Sequence, residues 1–352
     1  MSSRAIGFDP GTAFLQVAEK NNNGEIEFKT IRNSFIELPE TEDIEQVLRQ
    51  NKWQYVTDGK HYYVIGDDSL KIARLFPEVE IRRPMQNGVL NKGEDKKMLI
   101  MASIIEEAIG KTEGERDVVC YCVSSPVIDL GDFDNVFHKN RIEGMIKRLG
   151  FIPKCVEEAF GIILSERPVV CLEDGQEIPY SGIAISFGAG RTNVVLAYRG
   201  LQVLGMSCNR GGDFIDNKVA EQTNSPISKI IYTKENKLNF NSLDDDDDIV
   251  FALSVYYTHL IEYVLKNFSK KFSEVRSEFD APLPIIIAGG TAMPRGFRDK
   301  VESVVRKLDL NFEIGSISVS ADPRNAVVKG LLTQAIISQK KLKEKAIDEA
   351  LD

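Results

Sequence analysis

The chain has no C-x-x-C pair among its five cysteines, no excess of basic residues, and no uninterrupted apolar run that approaches a membrane span. Each absence removes a class of function. All the cysteines except Cys208 (Cys120, Cys122, Cys155 and Cys171) lie in or beside apolar runs, which suits reduced, buried thiols in a reducing compartment and argues against a structural zinc site. With 44 Lys and Arg against 53 Asp and Glu, the net charge is −9, so broad attraction to nucleic acid or anionic lipid is not expected. The first residues run into a strand with no secretory leader. The expectation is a soluble, cytoplasmic protein of 352 residues, long enough for two domains or one large bilobal unit.

Against those absences stand two glycine loops half a chain apart. The first reads Ile6-Gly7-Phe8-Asp9-Pro10-Gly11-Thr12, the second Ile185-Ser186-Phe187-Gly188-Ala189-Gly190-Arg191-Thr192. Each follows a short apolar run that reads as a buried strand. Each precedes an alternating run, Phe14 to Lys20 or Asn193 to Tyr198, that reads as the return strand of a hairpin. Glycine lets the backbone bring N–H groups close to phosphate oxygens, and hydroxyls such as Thr12 and Thr192 can add donors. Two such hairpins suit a polyphosphate.

The first half continues as a meander, Arg4 to Phe8, Ala13 to Lys20 and Glu25 to Ile31, with Asn21-Asn22-Asn23-Gly24 as a hairpin turn. From Arg32 to about Ile81, short strands at Trp53 to Val56 and His61 to Ile65 around Asp58-Gly59 suggest a small inserted subdomain. Helical spacing marks Lys97 to Ile109 and Asn135 to Leu149, with the apolar strand Asp117 to Val123 between them. Strands alternating with helices imply a sheet covered by helices.

The second half repeats strand, loop, return strand and a third strand, Leu201 to Met206, then reaches Asn209-Arg210-Gly211-Gly212-Asp213-Phe214-Ile215-Asp216. Ile249, Leu253, Tyr256, Tyr257, Leu260, Ile261, Val264 and Leu265 mark one face of a long helix. Asp244 to Asp248 just before it read as caps and dipole partners rather than a calcium loop, which needs alternating ligands and a glycine bend. Leu283 to Ala288 reads as a buried parallel strand opening into Gly289-Gly290-Thr291. Asp322-Pro323 is placed to start a helical run at Arg324, and the charged tail from Gln339 reads as a solvated final helix.

These segments resemble the prokaryotic actins, most nearly the MreB-like and related filament proteins, within the superfamily of actin, the heat-shock chaperone ATPase domain and sugar kinases. Asp9-Pro10-Gly11-Thr12 and Gly188-Ala189-Gly190-Arg191-Thr192 look like the two phosphate loops. Arg83-Pro84-Met85-Gln86-Asn87-Gly88-Val89-Leu90 is similar to the stretch leading out of the inserted subdomain, and Val156-Glu157-Glu158-Ala159 to the segment joining the lobes. Arg210-Gly211-Gly212-Asp213 resembles the start of the helix under the nucleotide, Ala288-Gly289-Gly290-Thr291-Ala292-Met293 the adenosine loop, and Asp322-Pro323 with Ala326 and Gly330 the last helix.

The resemblance implies an α/β, two-lobed actin-like ATPase fold, made of duplicated ribonuclease-H-like domains with a nucleotide cleft between them. It implies one lobe core from 1–32, 82–168 and 322–352, with 33–81 inserted, and another from 169–213 and 249–321, with 214–248 inserted. It further implies ATP, or GTP, with Mg2+. Asp9 would orient the waters around magnesium, and N–H groups near Gly11, Thr12, Gly188, Ala189 and Gly190 would hold phosphates, with Arg191 as a further phosphate contact. Gly211, Gly212, Gly290, Thr291 and Met293 would line the nucleoside, and Glu158 would position the attacking water. The ribose and adenine segment, around Ser228 to Lys237, matches too loosely to name residues.

Two positions depart from the pattern. Where the second loop of the family normally begins with an aspartate there is Ser186, and the usual acidic residue after the loop threonine is Asn193. A hydroxyl bonds to water but supplies no charge, so hydrolysis is expected to be slow or to rest on Glu158 and Asp9. The preferred reading is a nucleotide-dependent homopolymeric filament, served by adaptor proteins, with no direct nucleic-acid contact. Met1 to Arg4 is too short for an amphipathic membrane anchor. A non-polymerising nucleotide-binding adaptor or chaperone-like module remains open, as does a small-molecule kinase.

Overall fold

The computed structural model describes residues 3–75, 79–91, 96–112, 114–129, 135–166, 169–171, 177–244, 246–275, 279 and 282–351. Met1, Asp245 of the aspartate run, Asp352 of the tail and the side chain of Cys171 lie outside the described residues. The chain divides into two compact units, one of residues 1–122, 134–155 and 331–352, the other of residues 123–133 and 156–330.

In the first unit, β1 (Ala5–Pro10), β2 (Phe14–Lys20) and β3 (Ile26–Arg32) form the expected antiparallel meander. Its second turn is locked locally: Asn21 Oδ1 accepts the N–H of Asn23 and of Glu25, both at 3.0 Å. An antiparallel sheet of order β4 (Phe35–Pro39), β6 (His61–Ile65), β5 (Tyr55–Thr57) follows, with α1 (Glu42–Gln50) and α2 (Asp67–Leu75). Ile36, Leu48, Tyr62, Val64 and Ile72 give this inserted part its own small core. A two-stranded hairpin of β7 (Met85–Gln86) and β8 (Val89–Leu90) leads to α3 (Lys97–Ile109), β9 (Val118–Val123), α4 (Asn135–Arg148) and β10 (Ile152–Glu157). β9, apolar on both faces, lies parallel to β1, and the sheet order is β10-β9-β1-β2-β3.

In the second unit, α5 (Glu158–Glu166) is followed by the hairpin of β11 (Val169–Cys171) and β12 (Glu177–Pro179). Then β13 (Gly182–Phe187), β14 (Thr192–Tyr198) and β15 (Leu201–Cys208) form a second meander. After α6 (Gly212–Thr223), α7 (Ile227–Asn236) and α8 (Asp248–Phe272), β16 (Leu283–Ala288) adds parallel to β13. α9 (Phe297–Val305), β17 (Ile314–Val319) and α10 (Ala326–Leu351) complete the chain. The sheet order β15-β14-β13-β16-β17 repeats the plan of the first sheet: a meander, then two further strands beyond its first member.

α8 is a core helix. Seven of the eight residues expected on its apolar face are buried, Tyr256 being partly exposed, and Asp247 caps it by accepting from Ile249 N and Val250 N. By length and composition α8 is apolar enough to cross a membrane, although no continuous apolar run of that length exists. Its buried side chains pack against β13, β14, β16 and α9 residues in one cluster. The C-terminal elements differ from expectation. Asp322 and Pro323 lie in turns, with Asp322 accepting from Asn325 N, and one continuous helix runs from Ala326 instead of a helix at Arg324 plus a separate tail. Where α5 crosses the start of α10, a Cβ on Gly330 would collide with the Gly161 carbonyl and one on Gly161 would sit 2.9 Å from Val327 O. The two backbones touch. Cys120, Cys122 and Cys208 are buried, Cys208 included despite its polar neighbours in sequence, and Cys155 is partly exposed.

Candidate functional site

Gly188-Ala189-Gly190-Arg191 links β13 to β14, with Gly188 N donating to Arg191 O at 2.9 Å. The loop's carbonyls are spoken for. Gly188 O accepts from Gly212 N and from Thr291 Oγ1, and Ala189 O accepts from Asp213 N, each at 2.9 Å. A trans peptide points its C=O and N–H in opposite directions. Carbonyls turned toward the start of α6 therefore aim the N–H groups of Ala189 and Gly190 the other way, as a phosphate cradle requires. Gly211 is needed for this approach, since a Cβ there would lie 2.5 Å from Ala189 O and 2.6 Å from Gly188 O.

Thr192, named as an extra donor on sequence, is fully buried and gives its hydroxyl proton to Arg210 O at 2.9 Å. It braces the loop. Arg191 is buried too, and that burial pushes its guanidinium down to about 10 against the opposing pull of the Glu158 and Asp129 charges. Thr291 is buried and clips the third loop to the second, whereas Gly290 and Met293 are exposed.

Glu158 starts α5. Its Oε1 accepts from Ser186 Oγ and its Oε2 from Asn193 Nδ2, both at 2.8 Å. Ser186 and Asn193 are direct cross-strand partners in β13 and β14. The two positions that lack the acidic residues of the resembled pattern thus meet on one carboxylate.

Beneath Gly212, Lys234 Nζ and Asp216 Oδ2 form a buried ion pair at 2.6 Å, and Asp216 Oδ1 has no hydrogen-bond partner among the described residues. Burial raises the Asp216 carboxyl and Lys234 opposes the rise. The Lys234 ammonium lies 3.3 Å from where a Gly212 Cβ would stand. Lys234 falls in the Ser228 to Lys237 segment, where sequence named no residue. Its signal is the pairing with Asp216 across two helices, which spacing along the chain does not reveal.

Asp9, Gly11 and Thr12 belong to the first unit and every other residue named for the site to the second. Asp9 lies next to last in β1 and accepts from the Cys122 thiol at 3.2 Å. Burial pushes its carboxyl up to about 6, and the thiol partly offsets this. Gly11 O accepts from Asn33 Nδ2 and Thr12 Oγ1 from Gly88 N, both at 2.9 Å, so the Thr12 N–H is again directed opposite a tethered carbonyl.

The doubled sheet plan with a glycine loop on each copy defines an actin-like fold. A family model named Volactin matches residues 4–335, and the chain belongs to that family. Among solved structures, it is similar to a MamK double helical filament (TM-score 0.65, 17% identity, covering 95% of this chain and 99% of that one). It is also similar to MreB 5 of Spiroplasma citri bound to AMPPNP (TM-score 0.66, 12% identity, 99% of each chain). Ethanolamine utilization protein EutJ from Carboxydothermus hydrogenoformans matches at TM-score 0.56 and 13% identity, over 95% of this chain and 90% of that one. A search of curated proteins found no match.

Proposed function

We propose that the chain is a nucleotide-dependent, actin-like polymerising protein that binds ATP, or GTP, with Mg2+, assembles head to tail into filaments and hydrolyses its nucleotide slowly. The observation that carries this reading is the repeated strand, glycine loop and strand unit, with tethered carbonyls that direct the N–H groups of Thr12, Ala189 and Gly190 away from the protein's own acceptors. The filament form of MamK supports assembly, and the AMPPNP on MreB 5 supports a nucleotide.

The residues present fit the implied groups. Bound Mg2+ would neutralise phosphate charge. Asp9, whose carboxylate is held at a desolvation cost, is suited to hold the waters of such a cation. Gly11, Thr12, Gly188, Ala189, Gly190 and Arg191 would hold phosphates, with Gly211, Gly212, Gly290, Thr291, Met293 and the unforeseen Lys234 around the nucleoside. Glu158 would orient the attacking water, and Ser186, whose hydroxyl donates to Glu158, would act through it. The reading includes the small inserted subdomains at 33–81 and 214–248, a cytoplasmic location and adaptor proteins as tethers, without direct nucleic-acid or membrane contact. A second reading, a nucleotide-locked adaptor that does not polymerise, is favoured by one observation: no carboxylate stands at Ser186 in the second loop.

Sedimentation and negative-stain microscopy with ATP, ADP, AMPPNP or no nucleotide, with phosphate release followed in parallel, separate the two. Filaments that form with ATP or AMPPNP support the first reading. A nucleotide-bound monomer in every condition supports the second.

A further inference from the structure

We infer that Asn193, with Ser186 beside it, is a positioning residue that holds the Glu158 carboxylate in a fixed orientation at the second loop, an inference that rests on the hydrolytic reading above. Asn193 is fully buried, and its amide has a fixed sense: Oδ1 accepts the Ser125 backbone N–H at 3.1 Å, so Nδ2 must be the edge that donates to Glu158 Oε2. Ser186 Oγ, also buried, takes the other oxygen. With a donor on each oxygen, both the plane and the rotation of the carboxylate are fixed.

The clamp is electrically neutral on the strand side, and that is its chemical content. With an acid at either strand position, Glu158 would face a second carboxylate within hydrogen-bond distance, and the pair would repel when both are ionised and bind a shared proton at a higher pH than either acid alone. Ser186 and Asn193 add no charge of their own to Glu158, which stands at the start of a helix whose N-terminal dipole favours an anion, with the buried Arg191 guanidinium also acting on it. The residues that look like losses in sequence are the donors that orient the remaining acid.

The test uses the full chain and four variants: Asn193→Asp, Asn193→Ala, Glu158→Gln, and Glu158→Gln combined with Asn193→Asp. Phosphate release from ATP is measured from pH 5.5 to 8.5, AMPPNP affinity in parallel, and thermal melting at each pH. Asn193→Asp keeps the shape and the acceptor for Ser125 but turns the donor into a charge. It is expected to slow release by about 100-fold at pH 7.5, the size of effect set by a misplaced reacting group, with AMPPNP affinity within about threefold. Part of that loss should return toward pH 6, as the pair takes up a proton. Asn193→Ala should lose activity without that recovery. The double variant, in which the amide and acid have traded places, should regain the melting temperature lost by Asn193→Asp and none of the activity. Wild-type rates in Asn193→Asp and Asn193→Ala overturn the inference while leaving the hydrolytic reading intact. So does an Asn193→Asp loss that is the same at every pH. A wild-type chain that binds no nucleotide overturns both.

Discussion

The two glycine loops sit on the same strand position of the same sheet plan and differ in where they keep their charge. Asp9 is next to last in β1 and faces Gln16 across the hairpin; Ser186 is next to last in β13 and faces Asn193. In the first loop the carboxylate belongs to the strand itself and has a weak donor, the Cys122 thiol, for company. In the second the strand offers a hydroxyl, and the carboxylate arrives from α5 to be held by two full-strength donors. Duplication of a backbone therefore does not duplicate its electrostatics. A poorly solvated acid with few donors is primed for a cation, whereas a firmly clamped acid is primed to orient a neutral molecule.

The strongest way to break this comparison is Glu158→Gln, which removes the clamped acid at the second loop. It is expected to lower phosphate release by about 10³-fold with AMPPNP binding retained, as measured by single-turnover release and titration. Next comes Ser186→Asp, which makes the two loops alike on the strand. It should lower stability by about 1–3 kcal/mol at neutral pH by setting two carboxylates against each other, and Mg2+ with AMPPNP should restore part of the loss in thermal melts. Gly211→Ala sharpens the comparison from the backbone side: its methyl group would press on the Ala189 and Gly188 carbonyls, at a cost of about 1–3 kcal/mol and with weaker AMPPNP binding.

The smallest effect is on pH dependence. Because the Asp9 carboxyl is raised from 3.8 to about 6, the folded chain binds more protons than the unfolded chain between those values. Stability from this group is thus highest below about pH 4 and falls as pH rises from there through 6. Asp9→Asn should flatten that slope in melts across the window. In the wild type, the extra stabilisation by Mg2+ over nucleotide alone should fade below about pH 6.

Much of the scaffold was legible because its signals are local. His61–Ile65, Lys97–Ile109 and Leu283–Ala288 form with the boundaries their apolar patterns predict. The elements that sequence reading passed over lack such patterns. β17 reads Ile-Gly-Ser-Ile-Ser-Val and pairs in parallel with β16, and β10 reads Ile-Pro-Lys-Cys-Val-Glu, carries a proline, and has no fully buried residue. In the candidate site, the glycines and Glu158 can be named from sequence, but their tethers cannot. Thr192 and Thr291 point their hydroxyls at loop carbonyls, and Lys234 finds Asp216 across 18 positions of chain. Residue type states what a side chain can donate; only tertiary packing states to whom.

The bare crossing of α5 and α10 bears on how this site can change over evolutionary time. Contacts between side chains can be retuned in small steps, a methylene at a time. At Gly161 and Gly330 the smallest available step is a whole methyl group, and the Gly161 carbonyl already occupies the place where the Gly330 methyl would go. The helix that presents Glu158 is consequently seated by an all-or-none fit, free of the gradual drift open to the loops around it. Descendants of this chain can rewrite the residues that greet the carboxylate far more readily than they can move it.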